Sequence, residues 1–300
     1  MSKLFILLLS FAAWVGTAPS ALAVSAPAAA LAARHAALAP SLQHTPFNRP
    51  LVLESAETPG RLSGEIHAVL EHPFSASSVA LNDPAHWCDI LLLHINTKYC
   101  QPKPGSGGPL LDIAIGGKNA RTLSEASRME LTFSNAGTTP DHLQIDLGAA
   151  KGPMGTSDYR IRLEAIAVPG ARTFVHFTYS YAYDPMARMA MWTYLNTIGA
   201  GKVGFTSTGT SVDGRAQLVG GMRGLTERNI MRYYLAIEAY LGSLRMVPAH
   251  QLEARLNGWY TAIESFPRQL NDVSRSDYLA MKRSEAQRQA AGAQRQAAAP

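Results

Sequence analysis

The chain has 300 residues, 47% of them hydrophobic, 16% charged and 8% aromatic, with a formal net charge of +5. That balance excludes a wholly disordered or fibrous protein and leaves ample apolar material for a core. The charge sits at the ends: Lys3 is the only charge in residues 1–23, Lys282, Arg283, Arg288 and Arg295 against Glu285 make residues 282–300 +3, and residues 24–281 are left at +1. A near-neutral body argues against a nucleic-acid partner.

The first 23 residues, Met1 to Ala23, read as a signal peptide: Lys3 is the charged start, Leu4 to Val15 the apolar stretch, and Ala21-Leu22-Ala23 a small-x-small cleavage site. The apolar stretch is short for a membrane span of about 20 residues. The expected destination is the periplasm or the outside of the cell. Residues 24–48 are rich in Ala and Pro, with Ala28–Ala33 followed by Pro40 and Pro46, and read as a linker or disordered arm. Residues 287–300 repeat Gln-Arg-Gln-Ala-Ala and read as a disordered, solvated tail.

From Leu51 to Gly209 the pattern is mainly period two, the mark of strands with one buried face. Ile66, Ala68 and Leu70 alternate with Glu65, His67 and Val69; the same holds around Met129–Phe133, Leu143–Leu147 and Ile161–Ala165. Turn residues separate these runs, as at Gly107-Gly108-Pro109, Gly152-Pro153 and Pro169-Gly170. An antiparallel sheet of about seven strands is expected, ending in a strand at Lys202–Thr208. The strand Arg172–Asp184 carries Val175, Phe177, Tyr179, Tyr181 and Tyr183 on one face and Phe174, His176, Thr178 and Ser180 on the other. Its aromatic face either lines a cavity for an apolar ligand or packs as ordinary core.

Cys88 and Cys100 are the only cysteines. In an oxidising compartment they form a disulfide, the alternative being two buried thiols. His86, Asp89 and His94 lie close by, but their spacing matches no zinc-ligand pattern, and no metal or cofactor is expected.

Helices are expected at Ser75–Leu93, broken by Pro84, and at Pro185–Ile198, which holds Met189, Trp192 and Leu195. A long one is capped at Thr226 and carries Ile230, Tyr233, Tyr234, Ile237 and Leu241 at helical spacing. That apolar stripe needs the preceding sheet to cover it. Beyond Leu244, helices at Pro248–Phe266 and Asp277–Arg288 form an appendage, residues 246–286.

The stretch Gly64-Glu65-Ile66-His67-Ala68-Val69-Leu70-Glu71-His72-Pro73-Phe74, running into Val79–Trp87, resembles the opening of the START-like, polyketide-cyclase-like (SRPBCC) superfamily. The shared features are a strand ending in a Pro-aromatic step, a short helix and a buried Trp. The resemblance covers residues 49–245 and implies an α+β helix-grip fold, a curved antiparallel sheet gripping a long C-terminal helix; the additional C-terminal helices depart from it and pack outside the grip. It also implies a cavity for a lipid, sterol or polyketide-like molecule between sheet and helix. Its expected walls are Phe133, Phe177, Tyr179, Tyr181, Trp192, Phe205, Tyr234 and Ile237. Arg162 shares a strand face with Glu164, as a solvated ion pair or, if that face lines the cavity, as a holder of an anionic head group.

No phosphate loop, Gly-x-Ser-x-Gly elbow or His-Glu-x-x-His helix is present. His67 and His72, five apart in a strand, point to opposite faces. Three readings therefore stand: an exported binder of a hydrophobic small molecule or lipid, a cyclase- or hydrolase-like enzyme on the same scaffold, or an envelope interaction module using the Trp259 and Tyr260 region, with transient membrane or envelope-protein contact.

Overall fold

The computed structural model describes residues 24–118, 122–197, 199–211 and 213–297. The segment read as a signal peptide lies outside the described residues.

The expected linker is a helix, α1 (Ala26–Gln43). Ser25 caps it, its hydroxyl accepting from the Ala28 N–H, and Pro27 sits in the first turn where its missing N–H is harmless. The Ser25 N–H donates to Asp141 at 2.7 Å and ties the start of the helix to the body. Ala28, Leu31 and Leu42 are buried against Val69, Ile166 and Phe174 of the sheet, so the alanine-rich arm has a surface to pack on.

Eight strands form one antiparallel sheet: β1 (Leu51–Thr58), β2 (Arg61–Leu70), β3 (Thr97–Lys103), β4 (Leu110–Ile115), β5 (Ser127–Ser134), β6 (Leu143–Lys151), β7 (Thr156–Val168) and β8 (Arg172–Tyr183). Their order is β1-β2-β8-β7-β6-β5-β4-β3, so β8 returns to lie between β2 and β7. The strand expected at Lys202–Thr208 is not in this sheet. Instead β9 (Ser207–Thr210) and β10 (Ala216–Leu218) make a separate hairpin.

Between β2 and β3 come α2 (Phe74–Leu81) and α3 (Pro84–Leu92). Asp83 caps α3 by accepting from Ala85 N–H at 2.8 Å, with Pro84 next in line. The Trp87 indole donates to the Leu81 carbonyl at 2.7 Å, which satisfies its polar edge inside the core. Cys88 of α3 and Cys100 of β3 are joined in a disulfide, their Cα atoms 5.0 Å apart.

After β8 comes α4 (Pro185–Asn196), and after the hairpin the gripped helix α5 (Gly221–Ser243). α5 starts at Gly221 rather than at Thr226, whose hydroxyl donates back to the Met222 carbonyl inside the helix. Its first turn is pressed against the preceding loop: a Cβ at Gly224 would lie 2.7 Å from the Val219 carbonyl oxygen, so only glycine fits. Ile230, Met231, Tyr234, Ile237 and Leu241 then bury into the same core as Ile66, Leu163 and Phe177.

The appendage is α6 (Pro248–Glu264), the short α7 (Pro267–Leu270) and α8 (Arg275–Ala297). Trp259 is no docking surface: it is buried, donates to the Arg232 carbonyl at 3.0 Å and stacks on Tyr278. Tyr260 is likewise buried, and its hydroxyl donates to the Val273 carbonyl. α8 locks onto β3 through buried Lys282, which donates to the carbonyls of His94 and Thr97 and to Glu285. Burial pulls the Lys282 ammonium down to about 8, against the pull of Glu285. The expected disordered tail is the end of this helix as far as Ala297, where Gln289 accepts from the Cys100 N–H and Gly292 lies against Tyr99.

Candidate functional site

The inner face of the sheet and the helix α5 that meets it together hold most of the expected wall residues. Phe133, Phe177, Tyr179, Tyr181, Tyr234 and Ile237 all belong to one buried core cluster. The rings of Tyr159, Tyr179, Tyr181 and Tyr233 touch one another at centroid distances from 5.3 to 6.2 Å, and Phe205 wedges between Phe47 and Phe266 at 5.6 and 5.3 Å. Burial pushes the phenols of Tyr179 and Tyr234 well above their usual value, so both stay protonated. The aromatic face is packed with side chains.

Two of the expected ligand-binding residues lie elsewhere. Arg162 is on the outer face, away from α5, where it donates to Asp146 at 2.6 Å; strand alternation places it opposite the buried Ile161 and Leu163. Its expected partner Glu164 turns to histidines instead. Trp192 is 63% exposed, because α4 caps the end of the sheet and does not enter it.

At that end, where β8 stops, α4 and the first turn of α5 leave a cleft of 370 Å³. Trp192, Leu195 and Met222 supply apolar wall, Lys202 stands at the side, and the rest is glycine-rich backbone around Gly201 and Gly221. Lys202 is held in place by Asp272 at 3.3 Å and by the Asn271 carbonyl. Leu195 and Met222 also belong to the core, so the cleft floor is continuous with the grip. A depression of 590 Å³ over the β9–β10 hairpin is lined by Arg215, Gln217, Leu218 and Arg268 and has no aromatic wall.

The outer face carries a second group that the sequence reading missed. The register sets Glu54 opposite Glu65, His67 opposite His176, and His176 opposite Glu164, so a polar row crosses β1, β2, β8 and β7. His176 Nε2 meets Glu65 at 2.8 Å and its Nδ1 lies 3.5 Å from Glu164; buried His142 approaches the other Glu164 oxygen at 3.4 Å. The imidazoles of His67 and His176 stack with centroids 4.2 Å apart and planes 5° from parallel. Arg34 of α1 closes the cluster, its Nε donating to His67 Nε2 at 3.3 Å while a terminal nitrogen lies 3.7 Å from Glu54.

The charges follow from this packing. Burial alone pulls His176 down, but the hydrogen-bonded carboxylates of Glu164 and Glu65 outweigh it and raise the imidazole to about 9. The His176 hydrogen bond holds Glu65 at about 2 and lowers Glu164. Burial first, and the charge on His176 second, push His67 down to about 4, so it stacks as a neutral ring. Glu54 moves up through burial and its hydrogen bond to Glu65. Glu65, His67 and His176 together offer the donors that could hold a metal ion.

Among solved structures the chain is similar to Ara h 8.0201, with 10% identity over 61% of this chain and 99% of that one and a TM-score of 0.36. It is also similar to the Zhui aromatase/cyclase of a Streptomyces species, with 12% identity over 69% of this chain and 95% of that one and a TM-score of 0.33. Truncated norcoclaurine synthase from Thalictrum flavum gives 11% identity over 48% of this chain and 91% of that one, with a TM-score of 0.32. No protein-family model matches the chain, and no curated protein matches it. The strand order and the packing of α5 across the inner face give this chain the helix-grip fold expected from its opening strand and helix.

Proposed function

We propose that this protein is an exported binder of a small hydrophobic molecule, and that the ligand sits in the cleft between α4 and α5 at the open end of the grip. The observation that carries this reading is the contrast between an aromatic face whose rings pack on one another and a 370 Å³ opening walled by Trp192, Leu195 and Met222. That volume suits a compact ligand or one end of a longer lipid. The two acids of α5 are engaged in holding the fold: Glu227 accepts from the N–H groups of Phe205 and Thr206, and Glu238 binds Arg49 and the Tyr234 hydroxyl.

Titration with a fatty acid, a sterol, a phospholipid and a polycyclic aromatic, followed by indole fluorescence, tests the reading. Saturable binding of at least one, lost in Met222→Glu, is the expected result. No saturable response to any of them, together with no small molecule found by mass spectrometry in the purified protein, overturns it. Export is tested separately: N-terminal sequencing of protein from the cell envelope should begin at Val24, and full-length protein confined to the cytoplasm overturns export.

An envelope interaction module is the second reading, favoured by the exposure of Met186, Met189 and Trp192 on α4. It predicts that a partner protein protects these three side chains from oxidation or labelling while all four small molecules fail to bind.

A further inference from the structure

The antiparallel register of β2 and β8 fixes His67 directly opposite His176, and Glu65, two residues before His67, projects from the same face. One donor atom from each of the three lies within 4.8 Å of the other two. Around a tetrahedral zinc ion, with ligand bonds of about 2.0–2.2 Å, donors stand about 3.4 Å apart. The remaining gap is within reach of side-chain rotation on a fixed backbone. Two imidazoles and one carboxylate are also a donor set that suits a borderline divalent ion and leaves a fourth position free.

Two further observations point the same way. Glu164 stands behind His176 at 3.5 Å from Nδ1, with His142 behind Glu164 at 3.4 Å. A carboxylate in that position orients a ligating imidazole and raises its basicity. His67 is 1% exposed and accepts from the Arg34 guanidinium through Nε2, which leaves that nitrogen with the lone pair a metal ion needs.

We infer that Glu65, His67 and His176 form a binding site for a divalent transition-metal ion of the zinc class, on the outer face of the sheet beneath α1. The ion replaces the proton shared by His176 Nε2 and Glu65, which leaves to solvent. Because the two rings are now stacked in parallel, capture turns one imidazole so that the lone pairs converge. Arg34 is the built-in competitor: its guanidinium occupies the His67 nitrogen and must give way toward Glu54, which it already approaches. This site is independent of the cleft at α4.

The test uses the purified protein without a histidine tag, stripped with a chelator and titrated with zinc by calorimetry and by competition against a chromophoric chelator. One site per chain is expected. His67→Ala and His176→Ala should weaken it by more than about 100-fold, and Glu164→Gln by about 10- to 100-fold, the usual effect of losing carboxylate support. Arg34→Ala should strengthen binding, a gain that general damage to the fold does not produce; circular dichroism confirms that each variant is folded. Absence of zinc binding, or binding unchanged in both histidine variants, overturns the proposal, as does weaker binding in a folded Arg34→Ala.

Discussion

The two faces of the sheet are made from alternate residues of the same strands and have opposite chemistry. On β8, Phe177, Tyr179 and Tyr181 turn inward to α5, whereas His176 and Phe174 turn outward to α1. The inner face is buried and aromatic, and the acids that α5 brings beside it, Glu227 and Glu238, are hydrogen-bonded. The outer face, usually the wet side of an antiparallel sheet, holds a row of half-buried carboxylates and imidazoles around the buried His67. The difference lies in α1. Its apolar contacts over Val69, Ile166 and Phe174 remove one end of the outer face from water, and its Arg34 closes the neighbouring polar row. The amino-terminal helix thus covers part of a sheet face that would otherwise be solvated, and the charged groups it half-buries are paired with one another.

The sharpest break in this comparison comes from truncation on the inner face. Phe177→Ala should cost about 3–5 kcal/mol in denaturant unfolding, as for other buried aromatic residues, whereas Arg162→Ala on the outer face should stay within about 1 kcal/mol. A loss below about 1 kcal/mol for Phe177→Ala would mean that the interior tolerates empty space and serves as the ligand cavity. Next in size is Leu31→Ala, which removes the centre of the small cluster under α1 and should cost about 2 kcal/mol. Hydrogen exchange in that variant should rise over residues 26–43 and along β8 while α5 stays protected. Uniform loss of protection would show that α1 is part of the main core.

Strand alternation was legible in the sequence because each strand has one buried face, and so was the apolar stripe Ile230–Tyr234–Ile237–Leu241. Register was not legible. Glu65, His67 and His176 each stand on the polar side of their own strand, but nothing local says that β8 returns to pair with β2 and sets the two histidines opposite each other. α1 was hidden by its alanines, although Leu31, Leu38 and Leu42 are spaced seven and four apart, on one helical face. The end of α8 had no such signal. Its packing rests on the absence of a side chain at Gly292 and on one glutamine, contacts that hydrophobic periodicity does not register.

Alkaline titration separates the faces by a smaller effect. Burial raises the phenol values of Tyr179, Tyr234 and Tyr278 well above normal, whereas in the unfolded chain they ionise near about 10. The native state therefore holds protons that the unfolded state gives up once the pH passes 10. The stability these groups contribute is complete below that value and is lost as the pH rises beyond it. The denaturation midpoint should fall between pH 10 and pH 12, and Tyr179→Phe should reduce the fall. A fall unchanged in Tyr179→Phe would show that its phenol already titrates in the native protein, and hence that the inner face is wet.

The smallest change in stability should come from Trp192→Ala, and it bears most directly on which opening is used. The side chain is 63% exposed on α4, so its removal uncovers little buried surface and the unfolding free energy should shift by no more than about 0.5 kcal/mol. Ligand affinity should nevertheless fall, because Trp192 forms one wall of the cleft and Met222 faces it from α5. The two variants therefore read different properties: Phe177→Ala moves stability most, and Trp192→Ala moves binding at nearly constant stability. If Trp192→Ala binds as well as the parent while Tyr179→Leu loses the ligand at unchanged stability, the molecule enters between the tyrosines, and the inner face is a binding surface that opens only when occupied.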